Sequence, residues 1–102
     1  MKIIELDAAN WTTILDFCDA LLASIGAPKW HGASADAFAD SMICGGINAV
    51  EPPYTVRIRN TRQLPKDFLE KINQVKETVD MVRADCESRG QYAGEVEMEI
   101  LP

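Results

Sequence analysis

The chain has 102 residues, three cysteines, a single histidine and a formal charge of −6 from sixteen acidic against ten basic residues. That length predicts one domain over residues 1–102, burying about two thirds of the surface its unfolded chain exposes; the charge argues against direct nucleic-acid binding, which rests on a basic footprint, and for basic partners. No apolar run nears the roughly 20 residues of a membrane span, Met1 to Glu5 lacks the apolar centre of a leader, and three cysteines without close spacing beside one histidine disfavour both a disulfide framework and zinc, so a cytosolic protein without metal or cofactor is expected.

In chain order, Lys2 to Asp7 reads as a first strand. Trp11, Ile14, Leu15, Cys18, Leu21, Leu22 and Ile25 follow at the three-and-four spacing of an amphipathic helix, with Asn10 placed to cap its start and Gly26 its end. Pro28 bars continuation, so Ala27 to Ala33 is a loop, and Ser34 caps a second helix running to about Ile43. On that helix Ala35, Phe38, Ala39 and Met42 share one face, while Asp36 and Asp40 point away from it. Like charges four residues apart cost an isolated helix about 0.2–0.5 kcal/mol. The helix dipole compensates Asp36, in the first turn, better than Asp40. Such a pair suits a face that meets a cationic partner.

Gly45 to Pro53 reads as a loop within the domain. Tyr54 to Arg59 alternates apolar and polar, the period of a strand with one buried face. Between Pro65 and Arg89, Phe68, Ile72, Val75, Val79, Val82 and Cys86 recur with heptad-like spacing, as one long helix or two consecutive ones ended by Gly90. Glu95 to Ile100 alternates again. Cys18 and Cys86 lie in apolar stripes and read as buried thiols in a reducing compartment. Strands separated by helices imply a small three-stranded parallel sheet with three to four helices. The alternation places those helices mainly on one face and leaves the other polar. There Arg57 and Arg59 stand opposite Glu5, Glu95, Glu97 and Glu99, either as cross-strand ion pairs or as solvated charges.

The segment Pro28, Trp30-His31-Gly32, Ser34, Asp36-Ala37 and Asp40 resembles the motif of the barstar family, intracellular protein inhibitors of barnase-type ribonucleases, in which a proline and an aromatic pair ending in glycine precede Asn-x-Asp-Ala-x-x-x-Asp. The order of elements matches along nearly the whole chain. The resemblance implies an α/β barstar-like fold, and a loop and second helix that block a ribonuclease active site with acidic groups in place of RNA phosphates. By motif position Asp36 and Asp40 would form the ion pairs, Trp30 the aromatic contact and Gly32 the point of backbone approach, with His31, Ser34 and Ala39 on the same surface. A further acidic contact would fall near Asp85 if Gly90 ends its helix. Ser34 stands where the family usually has asparagine. Ala39 stands where its best-known member presents a large aromatic, and no residue of Ile47 to Val50 can be assigned.

The implied partner is a basic barnase-like ribonuclease or related toxin, met by a monomer or weak homo-oligomer with no role for a membrane, and the implied function is inhibition of an immunity type rather than catalysis. A diverged module binding another basic protein, or itself, is the alternative. An enzyme would have to use His31 as base beside Asp36 or Ser34, without a nucleophile elbow, phosphate-binding glycine loop or metal cluster to support it. Trp30 also suits a cap over the core, and Gly32 a left-handed turn.

Overall fold

The computed structural model describes residues 2–102, in the order β1 (Lys2–Asp7), α1 (Ile14–Ile25), α2 (Ala35–Cys44), β2 (Tyr54–Arg59), α3 (Lys66–Ser88) and β3 (Val96–Ile100). All strand pairing is parallel in the order β1-β2-β3, which places β2 at the centre. Its Cα radius of gyration is 13.0 Å, as expected for a compact domain of about 100 residues. Among the described residues no helix is long and apolar enough to cross a membrane.

The period of two in each strand separates two unlike faces. Ile4, Leu6, Tyr54, Val56, Ile58, Val96 and Met98 are buried and join Phe17, Leu21, Ile25, Phe38, Met42, Phe68, Ile72 and Val79 of the helices in one core. On the opposite face the register stacks Ile3, Thr55 and Glu97 in one row, Glu5, Arg57 and Glu99 in the next, and Asp7 beside Arg59 in a third. Arg57 reaches Glu99 at 3.1 Å and Glu5 at 3.7 Å, and Arg59 reaches Glu5 at 3.1 Å. Of the two readings of these charges, cross-strand pairing is the one the structure adopts for Arg57, Arg59, Glu5 and Glu99, whereas Glu97 stands opposite Thr55 and among the described residues forms no ion pair. Glu95 lies outside the ladder, 3.9 Å from Arg83.

Two helix boundaries need comment. α1 begins at Ile14, not after Asn10, because the Asp16 carboxylate accepts the backbone N–H groups of Thr12 (2.7 Å) and Thr13 (3.1 Å), making Thr13 the N-cap. This satisfies donors that the first turn would leave orphaned. These bonds hold the Asp16 carboxyl below its usual pKa. Trp11 therefore precedes the helix, and its indole stacks on Phe68 at 6.4 Å. At the other end Gly26 adopts φ 66°, and a Cβ there would lie 2.6 Å from that of Ala49. Both left-handed backbone and close approach require glycine at this position.

α3 is a single unbroken helix, buried along Phe68, Ile72, Val75 and Val79, and Gly90 follows its end at φ 69°. The described residues thus form three helices. Cys18 is buried as expected, Cys86 only half so, and Cys44 is exposed.

Candidate functional site

The site is built where α1 hands over to α2. Below Gly26 the chain turns through Pro28, whose carbonyl accepts the His31 N–H at 3.0 Å. Ser34 then takes extended backbone, and its Oγ accepts the Ala37 N–H at 3.1 Å, capping α2. That cap fixes the phase of the helix. Phe38, Ala39 and Met42 turn into the core, and Asp36 and Asp40 face solvent.

Ala39 has no exposed surface at all. A methyl group sealed in the core cannot touch a partner, so the expected contact at Ala39 is withdrawn. Ser34, with its oxygen committed to the cap, serves the site through the helix it starts.

Some other acidic side chains are taken up by the protein itself. Asp7 accepts bonds from Asn60 and from the Ala9 N–H, which lower its pKa. Asp80 pairs with Lys76, and Asp85 with Arg89 at 3.2 Å. Among the described residues Asp36 and Asp40 form no ion pair or side-chain hydrogen bond, a state they share with Asp19, Asp67, Glu70, Glu77 and Glu97; what sets the pair apart is its place, one helical turn apart on α2 with Asp40 lining a cleft beside Trp30. Asp85 thus has a cationic neighbour of its own chain, unlike the pair on α2.

Beside Asp40 stand an exposed aromatic and a clasped imidazole. Trp30 is 74% exposed, so it does not cap the core. Its ring stacks on His31 at 6.5 Å, and His31 in turn packs against Phe38 at 5.5 Å. The His31 Nδ1 bonds the Gly32 carbonyl, and its Nε2 lies 2.6 Å from Ser41 Oγ. Asn48 Nδ2 donates to the same Oγ at 3.0 Å. The hydroxyl beside His31 is therefore Ser41 and not Ser34. Ser41 and Asn48 are buried, and the network ties the aromatic loop, α2 and the loop after α2 into one unit.

Gly32 has no left-handed φ, and a Cβ built on it would meet only Ala37 Cβ, at an ordinary 3.6 Å. Its own fold does not demand glycine there.

Trp30, His31, Gly32, Ala37, Asp40, Ser41 and Ile47 line an open cleft of about 190 Å³. The motif anticipated Trp30, His31, Gly32 and Asp40. Ser41, Asn48 and Ile47 carry no such signal, because their roles depend on how residues 45–53 fold back. Among the described residues no three or more His, Cys, Asp or Glu side chains gather as metal ligands would. What the surface offers is unpaired negative charge, aromatic area and shape.

The family model described as Barstar (barnase inhibitor) matches residues 1–96, and the chain belongs to the barstar family. No individual curated protein matches it significantly.

Proposed function

We propose that this protein inhibits a small basic ribonuclease by laying Asp36, Asp40 and the Trp30–Gly32 loop into its active site. The observation that carries the reading is the pair of solvent-facing carboxylates on α2, without cationic partners among the described residues and placed beside the exposed Trp30 and the Trp30–Gly32 loop. A ribonuclease concentrates positive charge to hold a polyanion. Two carboxylates one helical turn apart imitate adjacent phosphates and offer no bond to cleave, so inhibition requires no chemistry of the inhibitor. Gly32 supports the reading, since the fold leaves a side chain there unopposed and its absence is explained by close approach of a partner.

The test is titration of barnase, and of a panel of small basic ribonucleases, with the protein while RNA cleavage is followed. Stoichiometric loss of activity with at least one enzyme, relieved in Asp40→Ala, is expected; full activity of every enzyme would refute it. Removing one member of a buried charge pair costs about 2–5 kcal/mol, a range drawn in part from barnase–barstar complexes themselves.

The burial of Ala39 favours a second reading, in which the scaffold has diverged to bind another basic protein. Without a large side chain at that position the ridge lacks an apolar anchor on α2 itself.

A further inference from the structure

Resting on the ribonuclease-inhibitor reading, we infer that Ile47, on the loop after α2, is a specificity-determining contact, and that the cleft between Ile47 and Trp30 receives one arginine side chain of the basic partner. Ile47 is a large apolar residue left 40% exposed. Slack in the loop does not explain this, because the backbone around it is pinned. The Gly46 N–H bonds the Glu51 carboxylate at 2.9 Å, Asn48 is clasped to Ser41, and the N–H groups of Ala49 and Val50 bond the carbonyls of Gly26 and Ile25, each at 3.0 Å. Ile47 is thus held outward at a fixed place, and that place is the wall of the cleft that Trp30 and Asp40 also line.

The chemistry of those walls selects the occupant. At about 190 Å³ the cleft is below the roughly 300–1,000 Å³ of small-molecule sites, which suits a single side chain. Asp40 supplies a negative charge unpaired among the described residues, so the occupant is cationic. Trp30 supplies an exposed indole face, on which a planar guanidinium stacks and which it prefers to a compact ammonium. Ile47 supplies apolar surface for the methylene stem that such a head carries. Trp30 is itself steadied by stacking on the clasped His31, so the wall is ordered before the partner arrives. Apolar contact withdrawn from α2 by the burial of Ala39 is restored from the neighbouring loop.

A double-mutant cycle tests the assignment, using barnase and barnase variants in which each active-site arginine is replaced singly by alanine. Ile47→Ala should melt as the wild type, since the side chain is exposed, bind about tenfold more weakly, and show non-additive coupling with one arginine replacement. Ile47→Ala binding within twofold of wild type while Asp40→Ala loses affinity would overturn the assignment and leave the inhibitor reading standing. Weakened binding that adds equally to every arginine replacement would overturn the choice of occupant. Absence of binding by the wild type would remove both.

Discussion

Replacing Ser41 by alanine tests the clasp that holds the site together. The hydroxyl serves His31 Nε2 at 2.6 Å and Asn48 Nδ2 at 3.0 Å. Asn48 is only 6% exposed, and among the described residues its Oδ1 already finds no partner, so the substitution strands its amide nitrogen as well. A buried donor left unsatisfied costs about 1–3 kcal/mol, and the loss at half-buried His31 adds about 0.5–1.5 kcal/mol. The gain in helix propensity from serine to alanine returns about 0.5 kcal/mol. The balance is a destabilisation of about 2 kcal/mol, a substantial share of the 5–15 kcal/mol typical of a domain. At about 4–8 °C per kcal/mol the melting temperature falls by roughly 8–16 °C.

Urea unfolding of the single variant, of Asn48→Leu and of the double variant measures this directly. Because both singles break one shared bond, the double should cost less than their sum. A Ser41→Ala variant as stable as wild type, or strict additivity, would refute the clasp.

Other consequences follow from single groups. Gly32→Ala should leave stability within about 0.5 kcal/mol, since its Cβ meets nothing closer than 3.6 Å, yet weaken ribonuclease binding in calorimetry; a large loss of stability would show that the fold needs this glycine. Among the described residues the buried Tyr54 hydroxyl has no partner, and burial pushes its pKa well above the usual tyrosine value, so Tyr54→Phe should be neutral or stabilise by up to about 1 kcal/mol in urea unfolding, and a marked loss would reveal a partner. Asp16 titrates below its ordinary 3.8 because Thr12 and Thr13 donate to its ionised form. Its contribution is therefore complete above pH 3.8 and lost as pH falls through the lower native value. Asp16→Asn should flatten the decline of melting temperature below pH 4, and an unchanged slope would contradict the assignment.

Where one element alone sets the pattern, the sequence was legible. Alternation in Tyr54 to Arg59 gave both the strand and its two faces, because side chains of a strand must point to opposite sides, and the charges it projected outward do meet Glu5 and Glu99 across the register. Ser34 and Gly26 marked helix ends through their own chemistry. The start of α1 was missed because Asp16, reaching backwards, outcompeted the simpler cap at Asn10. Asp36 and Asp40 are readable from their spacing, whereas Ala39 shares the buried face of Phe38, which seals it in the core and overrides the contact its motif position implies. Ile47 and Asn48 were illegible for a different reason. Their positions follow from the closure of residues 45–53 over Gly26, a contact between segments some twenty residues apart that no local period encodes.

The central claim is that the α2 carboxylates carry recognition of a basic enzyme, and the most direct measurement is the association rate with barnase in stopped flow as ionic strength is raised, for wild type, Asp36→Asn and Asp40→Asn. Steering by unpaired charge is expected to make the wild-type rate fall steeply with salt, with a shallower slope and weaker affinity in each variant. Rates indifferent to salt, or variants that match wild type throughout, would contradict the account.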